Sequence, residues 1–143
     1  MADYDYKAGK QRLEEILDND MEVVEQDKLP NDDDFTFTNG YYSWVSAIFV
    51  DMRDSTELCA DEDKEKLAKV FRSFSSEIIE ILRDDDNLRE IGMRGDCVYA
   101  VYTNPKQADV YETANKCFYV NTFMKMLNQL FREHNLPEIK VGI

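Results

Sequence analysis

Val45-Ser46-Ala47-Ile48-Phe49-Val50-Asp51-Met52-Arg53-Asp54-Ser55-Thr56 reads as an apolar strand that ends on an aspartate and runs into a polar turn. A second stretch, Arg94-Gly95-Asp96-Cys97-Val98-Tyr99-Ala100-Val101-Tyr102, reads as a glycine-aspartate turn opening another apolar strand. The first strand is apolar at nearly every position, which predicts cover on both faces. If the two strands pair, Asp51 and Asp96 emerge on one rim of the sheet, where open α/β sheets place ligands. Two carboxylates held together repel and call for a cation between them. Mg²⁺ suits that place, because it reaches proteins through one or two carboxylates plus substrate phosphates.

Outward from this pair the elements follow in order. A helix from about Asp61 to Arg83 carries Leu67, Val70, Phe71, Phe74, Ile78, Ile81 and Leu82 at three- and four-residue intervals, with Asp61 as its N-cap. Leu88 to Met93 and Cys97 to Tyr102 form a hairpin around Arg94-Gly95-Asp96. After Asn104-Pro105 a long helix runs to about Glu133, with Val110, Ala114, Cys117, Phe118, Asn121, Met124, Leu127 and Phe131 on its expected core stripe. Met124 and Met126 read as core filler. Ile139 to Ile143 begins a further strand. The order β, α, β, β, α, β predicts an α/β (α+β) sandwich of the ferredoxin-like or palm type.

Ahead of this lies a short helix from about Tyr4 to Asp18, edged by Leu13, Ile16 and Leu17. Residues 19–40 are acidic and polar, and Phe35 and Phe37 alternate with Thr36 and Thr38 as in a short edge strand. The expected division is therefore a helix and acidic lead-in at 1–40, then the main domain at 41–143.

Composition narrows the function. The 143 residues are 43% apolar, enough for one domain with a real core, and no apolar run could span a bilayer. The N-terminus has neither the basic region nor the apolar stretch of a signal peptide, so the expectation is a soluble, cytoplasmic protein with no membrane partner. A formal charge of −13 argues against a nucleic-acid polymer as partner, though not against a nucleotide brought in with Mg²⁺. Its acid is concentrated at Asn31-Asp32-Asp33-Asp34, Asp61-Glu62-Asp63 and Asp84-Asp85-Asp86-Asn87, which read as solvated loops and helix starts. Three cysteines without metal-type spacing fit reduced thiols, with Cys97 and Cys117 in the core. A single histidine, His134, leaves almost no material for histidine zinc sites or a Ser-His-Asp triad.

Met52 to Thr56 could wrap a triphosphate with backbone N–H groups, Ser55 and Thr56 adding hydroxyl donors. The plain alternative is that Asp54-Ser55-Thr56 only caps a helix. A phosphatase of the haloacid dehalogenase kind would need an aspartate at position 53, which is arginine. Arg94-Gly95-Asp96 matches an integrin-binding tripeptide by coincidence.

In these blocks the chain resembles the catalytic domain of class III nucleotidyl cyclases, the adenylate and guanylate cyclase family. Phe49-Val50-Asp51-Met52-Arg53-Asp54-Ser55-Thr56 matches the first family block and Gly95-Asp96 with its following strand the second. The Asn-Pro break, Leu127-Asn128 and the strand Ile139-Lys140-Val141-Gly142-Ile143 continue in register, so the resemblance covers roughly residues 44–143. It implies that Asp51 and Asp96 are the catalytic, metal-binding aspartates, joined by the Met52 carbonyl. It implies further that Asp54, Ser55 and Thr56 line the triphosphate and that Mg²⁺ or Mn²⁺, two ions, are the cofactors. The reaction would be attack of the ribose 3′-hydroxyl on the α-phosphate of a nucleoside triphosphate, giving a 3′,5′-cyclic nucleotide and pyrophosphate. The site would be shared across a homodimer.

Two departures refine this. Where the family carries a purine-reading Lys or Glu, three residues before the Gly of Gly-Asp, this chain has Gly92, with Arg94 beside the site. With Gly92 and Arg94 as the base pocket, the chain is similar to the pyrimidine cyclases of bacterial anti-phage signalling, the Pycsar system. These make cyclic CMP or cyclic UMP as second messengers. Secondly, family members continue past the Val-Gly-Ile strand into segments with an Asn/Arg pair that stabilises the transition state. The expectation is an N-terminal fragment, C-terminally truncated and inactive or nearly so alone, since losing such groups costs on the order of 10²–10³ in rate. The competing readings are a purine cyclase and a non-catalytic cyclase-like domain that binds nucleotide or dimerises. A diguanylate cyclase relative would need a Gly-Gly-Asp/Glu-Glu-Phe stretch, and the chain has none.

Overall fold

Along Val45–Met52 the side chains alternate: Ile48, Val50 and Met52 are buried, whereas Ala47, Phe49 and Asp51 face outward. The predicted two-faced burial is thus corrected to burial on one face, with helices packed on that side only. Ala47 and Phe49 made the run read as continuous, although they stand on the open side. The structure, a computed structural model, describes residues 4–30 and 32–143. Met1–Asp3 and Asn31, the first residue of a predicted acidic loop, lie outside the described residues. The chain divides into one unit ending at Ser43 and another from Trp44 to Ile143.

In the first unit, α1 is Tyr6–Asp18. The Asp5 carboxylate accepts from the Lys7 and Ala8 amides at 2.9 and 3.1 Å, so the helix starts two residues later than expected. Strands β1 (Glu22–Glu25) and β2 (Asn39–Tyr42) pair in parallel. The strand expected at Phe35–Thr38 is absent: the Thr36 amide donates to Asn39 Oδ1 at 2.7 Å and closes a turn there instead.

In the second unit the order is β3 (Val45–Met52), α2 (Ser55–Asp61), α3 (Lys64–Arg83), β4 (Leu88–Arg94), β5 (Cys97–Thr103), α4 (Gln107–Glu133) and β6 (Val141–Gly142). The sheet runs β4-β5-β3-β6, all antiparallel. This is the ferredoxin-like pattern, in which the first and third strands of the unit are central. The helix expected at 61–83 is α3, starting three residues later, and a further short helix, α2, occupies part of the stretch expected as a turn. Glu62 is extended at φ −106°, ψ 155°, and Asp63, not Asp61, caps α3 by accepting from the Lys66 amide. The expected last strand shrinks to Val141–Gly142.

Val70, Phe74, Ile78 and Leu82 of α3 meet Val120, Phe123, Met124, Leu127 and Phe131 of α4 over the inward side chains of β3 and β5. Burying a side chain of this size contributes roughly 1.5–3 kcal/mol. The inward stripe of α4 differs from the expected one. Thr113 and Lys116 point in, while Val110, Ala114, Phe118, Asn121 and Met126 are exposed. Polar residues at inward positions hid the true spacing. Cys97 and Cys117 are half-buried rather than core, and Cys59 is exposed.

Lys116 is accommodated by the loop after α3. Its Nζ donates to the Asp84 carbonyl at 2.8 Å and lies 3.4 Å from Asp85 Oδ2, with both side chains about nine-tenths buried. The ammonium also stands 5.6 Å from the centre of the Tyr102 ring. Asp85 is therefore an interior partner, not the solvated loop acid that the run Asp84-Asp85-Asp86 suggests.

Short as it is, β6 is clamped from α4. Asn128 Nδ2 donates to the Ile139 carbonyl at 2.8 Å, and the Ile139 amide donates back to Asn128 Oδ1 at 2.9 Å. Asn128→Leu leaves two backbone groups unpaired and is expected to cost about 1–3 kcal/mol. Hydrogen exchange checks it: the Ile139 amide, and the Arg53 amide bonded to the Lys140 carbonyl, should exchange faster in the variant.

Candidate active site

The register of the sheet sets the site. Asp51, last but one in β3, lies opposite Cys97 of β5 on one side and Gly142 of β6 on the other. The Met52 amide donates to the Asp96 carbonyl at 3.2 Å, tying the end of β3 to the β4–β5 turn. That turn has only Gly95 and Asp96, with Gly95 at φ 64°, where a side chain would be strained. Asp51 faces Cys97 across the strands and Asp96 precedes it in the chain; burial of the Cys97 thiol first, then the charges of Asp51 and Asp96, push its pKa up. Asp51 is exposed and Asp96 half-buried.

Among the described residues no Lys or Arg pairs with Asp51 or Asp96, so two neighbouring anions stand without a protein cation. Hard carboxylate oxygens of this kind fit Mg²⁺ or Mn²⁺. The described residues hold no group of three or more His, Cys, Asp or Glu able to cage a metal. An ion here would complete its shell from triphosphate and water, the usual manner of Mg²⁺.

Between β3 and α2 the turn is held by backbone. The Arg53 amide donates to the Lys140 carbonyl at 2.9 Å and the Leu58 amide to the Asp54 carbonyl at 3.0 Å. Asp54 occupies the left-handed region (φ 58°, ψ 24°), and its side chain makes no capping bond to α2. The reading of Asp54 as an ordinary side-chain helix cap is therefore overturned. Thr56 is exposed in the first turn of α2. Ser55 is turned toward the neighbouring hairpin, where its Oγ bonds to Asp96 Oδ2.

On the open face, Asp51, Cys97 and Arg94 form one cross-strand row, and Phe49, Tyr99 and Gly92 the next. Phe49 and Tyr99 stack at 6.0 Å between ring centres with 23° between planes. The Tyr99 hydroxyl donates to Glu90 Oε1 at 2.6 Å, and that bond holds its pKa up. Gly92 is the seat of this ring: a Cβ added there would fall 2.7 Å from the Tyr99 hydroxyl oxygen. Phe49 and Tyr99 escaped the sequence reading, which counted them as strand core. Their position two residues from Asp51 and Cys97, hence on the same face, was the available signal.

A cavity of about 580 Å³ lies between α3 and α4, lined by Phe123, Leu127 and Phe131, and contains neither carboxylate. A second cavity of about 350 Å³ lies beside the β3–α2 turn, lined by Arg53, Asp54, Glu57 and Leu58. Among the described residues no helix is long and apolar enough to cross a membrane.

No protein-family model matches the chain. It is 52% identical over 140 residues to a uridylate cyclase of Treponema porcinum and 31% identical over 147 residues to a uridylate cyclase of Gulbenkiania mobilis. Each alignment covers 98% of this chain, but 49% and 57% of those proteins. The chain spans about half the length of the curated relatives it matches. Among solved structures, the adenylyl cyclase CyaB from P. aeruginosa superposes with a TM-score of 0.60 at 22% identity, over 68% of this chain and 52% of that one. The guanylyl cyclase Cya2 does so with a TM-score of 0.60 at 16% identity, over 68% of this chain and 50% of that one. These two show a shared fold.

Proposed function

We propose that the chain is a member of the class III nucleotidyl cyclase family and supplies the metal and triphosphate side of a uridylate cyclase. UTP is converted to 3′,5′-cyclic UMP and pyrophosphate. The observation that carries this reading is the convergence of Asp51 and Asp96, without a protein cation, beside the Gly92–Tyr99 seat. The names of the two relatives favour uracil over cytosine.

Asp51 and Asp96, with the Met52 carbonyl, hold the divalent ions, Mg²⁺ or Mn²⁺. When bound, these ions supply activation of the ribose 3′-hydroxyl and neutralisation of charge on the phosphates. Asp54 and Thr56 line the triphosphate. With Tyr99 over Gly92, the room that a purine-reading side chain and a two-ring base would use is taken, which suits a single-ring base. Arg94 carries only donors, so it favours the O4 carbonyl of uracil over the amino group of cytosine. A second copy of the chain covers the open face, where Phe49 and Val45 are 55% and 52% exposed, and completes a site shared by a homodimer. The cyclic nucleotide acts as a cytoplasmic second messenger in anti-phage defence.

The test is incubation of the protein, extended to the length of its relatives, with each of the four ribonucleoside triphosphates and Mn²⁺. Mass spectrometry should find cyclic UMP as the main product. Gly92→Ala should displace the Tyr99 ring and lower kcat/KM for UTP by roughly 10–100-fold, the scale of a small misplacement in a reacting complex. Cyclic AMP or cyclic GMP as the main product would overturn the assignment of the base pocket. No cyclic product from any nucleotide would leave a nucleotide-binding or dimerisation module.

A further inference from the structure

We propose that Ser55 is the positioning residue of the Asp96 carboxylate, an inference that rests on the cyclase reading above and removes Ser55 from the triphosphate set. A serine hydroxyl has one proton to donate. Here the partner is an acceptor-only carboxylate oxygen, Asp96 Oδ2, so the proton is committed to it and does not reach a phosphate.

The surroundings explain why this bond is well placed to orient the carboxylate. Asp96 stands in a two-residue hairpin loop next to Gly95, where nothing packs around a Cβ within 4 Å. A carboxylate in so open a loop would sample several rotamers. Two bonds from the β3–α2 segment prevent that: the Met52 amide holds the Asp96 carbonyl, and Ser55 holds one carboxylate oxygen. Ser55 is itself fixed as the first residue of α2, after the left-handed Asp54 whose carbonyl accepts from Leu58. With Oδ2 held by Ser55, Oδ1 is the carboxylate oxygen left for a cation. Partners that orient metal-binding carboxylates typically set affinity by about 10–100-fold. The neighbouring phosphate role then falls to Asp54 and Thr56.

Mn²⁺ binding to the chain, followed by electron paramagnetic resonance of the free ion, tests this directly. Ser55→Ala should weaken Mn²⁺ binding by about 10-fold or more with its thermal midpoint unchanged. Ser55→Thr, which keeps the donor, should restore it. Asp51→Ala serves as the separate test of the metal site. Loss of binding in Asp51→Ala with wild-type binding in Ser55→Ala would overturn the Ser55 inference and leave the cyclase reading standing. Unchanged binding in Asp51→Ala would overturn both. In the catalytically active form, Ser55→Ala should raise the Mn²⁺ concentration needed for half-maximal rate and leave KM for UTP unchanged. A raised KM for UTP at an unchanged metal requirement would return Ser55 to phosphate binding and overturn the inference.

Discussion

Asp51→Asn is expected to abolish cyclic nucleotide formation, by on the order of 10³-fold or more, in a protein that melts at the wild-type temperature. Asp51 is outward on β3 and has no ion-pair partner among the described residues, so its carboxylate contributes little to the fold. Surface substitutions of this kind usually stay within about 0.5 kcal/mol. Removing one of two like charges even relieves repulsion with Asp96. The amide keeps the shape and loses the charge proposed to hold a divalent ion, and electrostatic stabilisation is usually the largest single contribution to such catalysis. The paired readouts are cyclic UMP by mass spectrometry and thermal unfolding by circular dichroism. Activity within tenfold of wild type, at unchanged stability, would remove Asp51 from the metal site.

The largest effect on stability is expected at the other end of the sheet, from Lys116→Met. The substitution leaves Asp85 about nine-tenths buried with its cation gone, and takes away the donor to the Asp84 carbonyl. Breaking a buried pair by removing one partner costs about 3–5 kcal/mol. A domain of this length loses roughly 2–4 °C of midpoint per kcal/mol, so a fall of about 6–20 °C is expected. Removing both charges together, as Lys116→Met with Asp85→Leu, should recover most of the loss, because an apolar pair of similar volume is often as stable as the buried ions. Thermal unfolding of the two single variants and the double variant gives the coupling directly. Additive losses in the double variant would mean that the two charges do not depend on each other. Cyclase activity should follow stability here and not the metal, since Lys116 touches neither Asp51 nor Asp96.

Much of the fold was legible because the informative signals are local. The helix of α3 announces itself through Val70, Phe74, Ile78 and Leu82, which recur every fourth residue and are all buried. Asp51 at a strand end and Asp96 in a hairpin tip follow from the apolar runs beside them and from the Gly-Asp turn. The α4 stripe was misjudged for an equally specific reason. Hydrophobicity marks which residues prefer burial, whereas Thr113 and Lys116 are buried because partners wait for them, Asn104 for the first and Asp85 for the second. Phe118, apolar and 69% exposed, misled in the opposite sense.

The site divides in the same way. Composition and order alone determined the βαββαβ arrangement and the carboxylates at a strand end and a hairpin tip, since each depends only on residue type and spacing along the chain; Gly92 stood out only against the family that the chain resembles. Tertiary structure decided that β3 has one open face, that Tyr99 lies over Gly92, and that Ser55 turns to Asp96. The last of these joins segments far apart in sequence, since Ser55 and Asp96 stand 41 positions apart. No local propensity encodes such a contact: it exists only once the register of β3 against β5 has brought the two side chains within hydrogen-bonding reach.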